Sequence, residues 1–411
     1  MVLSAIFERV IKTGQLTLVD RSGGVRRFGP GGPPEIVLRL NSPEPILKPL
    51  FDPALWFGEA YMNGEVTLVE GSLYEFLDLC TQVPGAVHEH PLITLKNWLG
   101  WPLRYLHQFN PPSRSHRNVQ HHYDLSGALY ELFLNDERDY SCAYFATGTE
   151  TLEQAQREKK RRIAAKLRIA PGQRVLDIGS GWGGLAFALA REHGAEVTGL
   201  TLSREQADFA RRRALEQGLD GRTRFLLQDY RAESGIYDRV VSVGMFEHVG
   251  VAHYDTFFRQ VRKLLAPDGV ALLHSIGRME PPGGTSAWLR KYIFPGGYSP
   301  ALSEVLAAIE RSGLWVTDVE ILRLHYADTL RAWSERFQAR RDEARELYDE
   351  RFCRMWEFYL TVCEIVFRNG NQMVFQIQLT RHKAAVPRTR DYMSDQATGR
   401  LVEPRRSQPL R

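Results

Sequence analysis

Residues Val175 to Gly184 read V-L-D-I-G-S-G-W-G-G. A short apolar run ends in an aspartate, and a glycine-rich turn then opens an amphipathic segment. This is the strand–turn–helix pattern of a nucleotide-type cofactor site, where glycines permit tight backbone angles and close approach to a ligand. The spacing of the glycines alone does not choose the ligand.

The following strand narrows the choice. Glu196 to Ser203 reads E-V-T-G-L-T-L-S. A dinucleotide site needs an acid about 20 residues past the glycines to hold the ribose 2′-hydroxyl. Here the strand tip is Thr201, Leu202 and Ser203, with no acid. S-adenosylmethionine (SAM) lacks a pyrophosphate and does not need that arrangement, so the loop reads as a SAM site.

The chain of 411 residues has room for two domains, and its formal net charge of +4 supplies no global field for nucleic acid. Basic residues are dense at Arg157–Arg168, which reads as a solvated helix face. Cys80, Cys142, Cys353 and Cys363 show no metal-ligand spacing. No signal peptide is evident, and no run reaches the ~20 apolar residues that span a bilayer. The expected setting is the cytoplasm, with peripheral membrane contact.

Residues 1–110 read as a small α+β domain. Leu3, Ile6, Phe7, Val10 and Ile11 share a helical face, Leu16–Val19 and Glu35–Leu40 resemble strands, and Ile46–Asp52 and Leu73–Cys80 resemble helices. Leu92–Arg117 mixes aromatic and basic residues; a membrane-interface segment and a linker helix packed on the next domain are both open readings. Residues 111–121 read as a linker. Residues 122–383 alternate apolar runs with helical patterns. The strands are expected at Arg174–Ile178, Glu196–Leu202, Thr223–Leu227, Arg239–Val243, Val270–Ser275, Val316–Leu324 and Met373–Thr380, with a long helical stretch at Thr329–Arg368. That alternation gives an α/β fold with a mainly parallel seven-stranded sheet. The tail, 384–411, reads as disordered.

Further motifs follow in order: H-Y-D-L-S at His122–Ser126, Y-S-C-A-Y-F at Tyr140–Phe145, G-L-T-L-S-R-E-Q at Gly199–Gln206, M-F-E-H-V-G at Met245–Gly250, L-L-H-S-I-G at Leu272–Gly277 and K-Y-I-F-P-G-G at Lys291–Gly297. Together with the glycine loop, this set resembles the cyclopropane-fatty-acyl-phospholipid synthases and their mycolic acid cyclopropane synthase relatives, over about residues 40–382. Gly127 departs from the asparagine that relatives often carry.

The resemblance implies a class I SAM methyltransferase preceded by a lipid-binding domain, acting on unsaturated phospholipid in a membrane, as a homodimer. It implies a cofactor site of Tyr140, Ser141, Asp177, Gly179, Gly181, Thr201, Leu202, Gln206, Asp229 and Tyr230. It also implies a bound bicarbonate as base, caged by Cys142, Glu247, His274, the Ile276 backbone and Tyr326. Cys363 matches a cysteine proposed as an active-site residue; a helix-core role is the other reading.

The chemistry sets its own demands. An alkene is a poor nucleophile, so the sulfonium must be held in line with the double bond. Methyl transfer leaves a carbocation that must be kept from water, and a base must then take a proton from the added methyl. Tyr144, Phe145, Phe246, Tyr292 and Phe294 are candidates to line the acyl path. Methylation of the alkene without ring closure is the nearest alternative. Methyl transfer to a small molecule and a degenerate, non-catalytic lipid carrier are more distant ones.

Overall fold

A computed structural model describes residues 2–43, 52–82 and 127–397. The His122–Ser126 motif, the Leu92–Arg117 segment, the 111–121 linker, all but the last residue of the helix expected over Ile46–Asp52, and the tail beyond residue 397 lie outside the described residues.

The amino-terminal unit comprises α1 (Val2–Val10), β1 (Gln15–Val19), β2 (Val25–Phe28), β3 (Glu35–Leu40), α2 (Pro53–Met62), β4 (Val66–Glu70) and α3 (Leu73–Thr81). Its sheet has the order β2-β1-β3-β4, with β1 and β3 parallel. Leu16 and Leu18 alternate inward along β1 and meet Leu3, Phe7 and Val10 of α1 in one core. Asp52 caps α2 by accepting from the Leu55 amide, and Ser72 and Glu75 form a capping box on α3.

The larger unit runs α4 (Gly127–Phe133), α5 (Leu152–Leu167), β5 (Arg174–Ile178), α6 (Gly184–His193), β6 (Glu196–Thr201), α7 (Arg204–Glu216), β7 (Thr223–Leu227), β8 (Tyr237–Val243), α8 (Tyr254–Leu264) and β9 (Leu265–Arg278). It continues with α9 (Ala287–Tyr292), α10 (Leu302–Ser312), β10 (Trp315–Leu322), α11 (His325–Ala339), α12 (Arg341–Leu347), α13 (Glu350–Asn369), β11 (Gln372–Thr380) and α14 (Asp391–Ala397). The seven-stranded sheet has the order β10-β11-β9-β8-β5-β6-β7. Only β11 runs against the others. The mainly parallel seven-stranded sheet read from the sequence is therefore present.

One face of the sheet is covered by α8 and α10 around Phe246, Phe257, Phe258 and Ile309. The other is covered by α5, α6 and α7 around Ile163, Phe187, Ala210 and Phe225. A third and larger core joins α4, α11 and α13 to the amino-terminal unit. There the α2 residue Phe57 meets Phe358 of α13, with ring centroids 6.0 Å apart. No described helix is long and apolar enough to cross a membrane.

Three expectations are corrected. The helical stretch Thr329–Arg368 is divided among three helices, broken at Arg340 and again at Asp349, which caps the last by accepting from the Phe352 amide. The described part of the tail is packed on the fold: Arg390 pairs with Asp318, and the Tyr392 hydroxyl bonds Gln378, holding α14 close to α5. The basic run on α5 is not a solvated face throughout. Lys159, Lys160 and Lys166 are buried, while Arg157 and Arg161 are exposed.

Candidate functional site

The strand order turns back at β5, which lies between β8 and β6, and a cleft opens at the carboxyl ends of these strands. This is where open α/β sheets bind ligands. All ten residues expected to contact the cofactor line this single cleft. The β5–α6 loop carries three glycines with positive φ, Gly179, Gly181 and Gly183. A Cβ on Gly179 would sit 2.7 Å from the Met245 Cβ, and one on Gly183 would sit 2.9 Å from the Phe187 ring. On Gly181 it would meet nothing within 4 Å, so this glycine faces open space.

Asp177, next to last in β5, is almost wholly buried, with Oδ2 unpartnered. Burial pushes its carboxyl up to about 7, against the pull of Lys159. At the end of β6, the Thr201 hydroxyl donates to Gln206 Oε1 at 2.8 Å, fixing that side chain at the cleft wall. After β7, Asp229 is clasped by Arg231, which donates at 2.8 and 2.6 Å. Tyr230 anchors beside it, edge-on to Phe257. Ser141 accepts from Lys159 Nζ at 3.0 Å. The Tyr140 hydroxyl lies 2.7 Å from that of Tyr359.

The sequence reading missed several cleft residues: Lys159, Asp139, Trp182 and His248. Lys159 lies 3.6 Å from the buried Asp139. Its charge also reaches Asp177, Cys142 and His274. The signal was present: Lys159 and Lys166, seven residues apart, continue the helical face of Leu152, Ala155 and Ile163. Dense charge around them hid it.

The residues expected to cage a base sit deeper. β8 ends at Val243, and the next backbone amide, Gly244, donates to the His274 carbonyl at 3.0 Å. The following amide of β9 on that edge, Ile276, donates instead to Glu247 Oε1 at 2.6 Å. The carboxylate thus replaces the missing strand. Glu247 Oε2 is buried without a partner, and burial pushes the carboxyl up to about 7. The Ile276 amide is therefore committed to Glu247 and does not stand open for a bicarbonate.

Cys142, Tyr326, Ile276 and Cys363 all pack in the larger core. His274 lies two residues before Ile276 on β9 and shares its face. Its ring is buried, and its basicity is driven down to about 3 by desolvation and then by Lys159 and Lys166. Burial also keeps both thiols protonated, with Cys363 pushed up to about 12 and no cation to oppose it. Cys363 thus lacks the electropositive surroundings of a reactive thiolate.

Of the five aromatic residues expected along the acyl path, Phe294 reaches the site, 5.7 Å from Tyr359 and 6.4 Å from His248 by ring centroid. Tyr292 packs on Trp288 and donates to Glu59 at 2.9 Å. Phe145 is buried in the larger core. The other two are elsewhere. Phe246 stacks on Tyr254 in the core under α8. Tyr144 is held between His325 and the Arg162 guanidinium. The aromatic wall next to the cleft is built instead by Tyr130, Phe133, Tyr140, Trp333, Trp356 and Tyr359.

Comparison with known proteins agrees with this geometry. Residues 111–377 match the family model of mycolic acid cyclopropane synthetase. A cyclopropane-fatty-acyl-phospholipid synthase of Escherichia coli is 36% identical over 346 residues, 84% of this chain and 87% of the relative. A tuberculostearic acid methyltransferase of Mycobacterium tuberculosis is 38% identical over 350 residues, 79% of this chain and 78% of the relative. A mycolic acid cyclopropane synthase crystallised with SAH and CTAB superposes with a TM-score of 0.62 at 35% identity, covering 66% of this chain and 99% of that one. The family model spans more than half of the chain, and these relatives are 36–38% identical over most of both chains. The chain belongs to the mycolic acid cyclopropane synthetase family and is a SAM-dependent methyltransferase.

Proposed function

We propose that the protein transfers a methylene unit from SAM to the cis double bond of unsaturated phospholipid acyl chains and closes a cyclopropane ring. The observation that carries this reading is Tyr140, which lines the cofactor cleft and is bonded through its hydroxyl to Tyr359 of the aromatic core. Cofactor and apolar acceptor would meet across that residue.

The cleft suits SAM on its own chemistry: a glycine loop open at Gly181, an unpartnered oxygen on Asp177 and a polar tip at Thr201 and Gln206. Bound there, SAM supplies an electrophilic methyl group. Tyr140 and Ser141 would hold its methionine end, and Asp229 and Tyr230 its adenosine end. Phe133 and Trp333, fully buried beside Tyr140, and Trp356, fully buried against Phe133, would keep water from the cation left on the acyl chain, and aromatic faces would stabilise it.

The last step needs a base. Glu247 presents a buried oxygen without a partner, and a carboxyl near 7 exchanges a proton readily at neutral pH. A bicarbonate held by Cys142, Glu247, His274 and Tyr326 would add a second oxyanion to that proton path. The amino-terminal unit, docked on α9 and α13, would deliver lipid from the periphery of the bilayer. A second reading, alkene methylation without ring closure, is favoured by the similarity to the tuberculostearic acid methyltransferase.

The test is to incubate the purified protein with SAM and vesicles of oleoyl phospholipid and to analyse the released fatty acids. An acid one CH2 unit heavier, with its double bond lost, supports the reading. Measured SAM binding with no lipid product contradicts it.

A further inference from the structure

Three buried side chains from three elements meet in a line. Lys166, near the end of α5, is 4% exposed, and Gln376 of β11 and His274 of β9 are each 2% exposed. Gln376 and His274 are direct register partners on adjacent strands. Lys166 Nζ lies 2.5 Å from Gln376 Oε1, and Gln376 Nε2 lies 3.0 Å from His274 Nδ1. Lys166 also pairs with Glu320 of β10, which holds its ammonium in place.

The direction of each bond follows from what each group can do. An ammonium only donates, so the end of the Gln376 amide facing Lys166 must be oxygen. The other end is then the NH2 group, which also donates. The histidine nitrogen that receives it must therefore carry a lone pair. The ring proton is left on Nε2. Charging the ring would set two donors against each other, and the depressed basicity of His274 agrees with this. Nε2 makes no hydrogen bond among the described residues, so its proton remains to be given to a ligand.

We propose that Lys166 and Gln376 are positioning residues that lock His274 as the neutral Nε2–H tautomer, making it a hydrogen-bond donor to an oxyanion in the site and not the base. The functional half of this statement rests on the reading of His274 as part of the base site; the tautomer itself does not. By elimination within the cage, the proton-accepting carboxylate is on Glu247 or on the bound oxyanion. Gln376 is not in contact with the reacting atoms and acts through His274 alone.

The test is nitrogen-15 NMR of histidine-labelled, ligand-free protein, with the His274 signal identified by its loss in His274→Gln. The expected pattern is a protonated Nε2 and an unprotonated Nδ1. Gln376→Glu keeps the shape but replaces the donor with an acceptor. It should move the proton to Nδ1 and lower kcat by about 10²-fold, as losing one oxyanion donor does, with SAH affinity unchanged by calorimetry. Lys166→Met frees the amide to turn and should give a mixture of tautomers. A protonated Nδ1 in the wild type overturns the proposal, as does a Gln376→Glu protein that keeps both Nε2–H and wild-type kcat. A wild type with the expected tautomer but no lipid product would contradict the proposed function and leave the lock standing.

Discussion

The hydroxyls of Tyr140 and Tyr359 lie 2.7 Å apart, one ring at the cofactor cleft and the other in the aromatic core. Burial keeps the Tyr359 phenol protonated. One hydroxyl therefore donates and the other accepts, tying the two halves of the site together. Tyr140→Phe strands the buried Tyr359 hydroxyl, which costs roughly 1–3 kcal/mol, whereas removing both hydroxyls is nearly neutral. Tyr140→Phe should lower stability by about that amount, and the double variant with Tyr359→Phe should cost less than the sum of the two single variants. Denaturant unfolding of the four proteins measures this coupling. Strict additivity would show that the two hydroxyls do not interact.

Glu247→Gln keeps the shape of the site and removes its proton chemistry. Turnover should fall by ~10²–10⁴-fold, the usual worth of a general base, with SAM affinity unchanged. Wild-type turnover removes Glu247 from the mechanism.

The same carboxyl leaves a mark on stability. Burial raises it from an ordinary 4.5 to about 7, so the fold favours its neutral form. The associated stability is complete below about pH 4.5 and is lost as the pH rises through about 7. At about 1.4 kcal/mol per unit, the ceiling is roughly 3.5 kcal/mol. Glutamine does not titrate, so Glu247→Gln should gain on the wild type in melting temperature as the pH rises across that window. Parallel melting curves would contradict the shift.

Two glycines flanking Trp182 in the loop should fail differently. Gly183→Val forces a side chain against Phe187 and Phe225 at positive φ, a cost of roughly 2–5 kcal/mol in stability. Gly181→Val carries only the backbone cost, ~1–2 kcal/mol, because its side chain enters open space at the cleft. Its effect should fall on SAM affinity, by about tenfold or more. Thermal unfolding and calorimetry separate the two. Unchanged affinity in Gly181→Val would count against the loop as the cofactor site.

The docking of the amino-terminal unit turns on Gly58 of α2. A Cβ there would lie 2.5 Å from Trp288 and 2.8 Å from Phe358. Gly58→Val should therefore loosen α2 from α9 and α13 and expose the joint to protease. Turnover on vesicles should fall while SAM affinity holds, because the cleft is built by β5–β8. Equal turnover in a visibly loosened variant would dismiss a lipid role for that unit.

The glycine loop and the strands were legible because their patterns are local. Arg174–Ile178 and Thr223–Leu227 fall where the apolar runs stand, between glycine and polar punctuation. The residues expected to contact the cofactor fall together in one cleft, since strand tips fix where loops lie. What the sequence hid was distant pairing. Lys159 and Lys166 read as surface charge because their partners, Asp139 and Glu320, are far along the chain. Phe246 and Glu247 are neighbours in sequence, yet the turn sends one ring into the core under α8 and the carboxylate to Ile276. Tyr359 and Trp333 lie on helices whose apolar faces look like ordinary core, and only packing brings them to Tyr140. The break at Asp349 was readable as a cap but was masked by helical periodicity on both sides.

Ring closure requires the added methyl group to lose a proton. Methyl-deuterated SAM, unsaturated phospholipid vesicles and mass spectrometry of the product fatty acids test this directly. The expected product carries a saturated ring and retains two of the three deuterium atoms. A product that keeps all three and still carries a double bond would contradict it and establish methylation without ring closure.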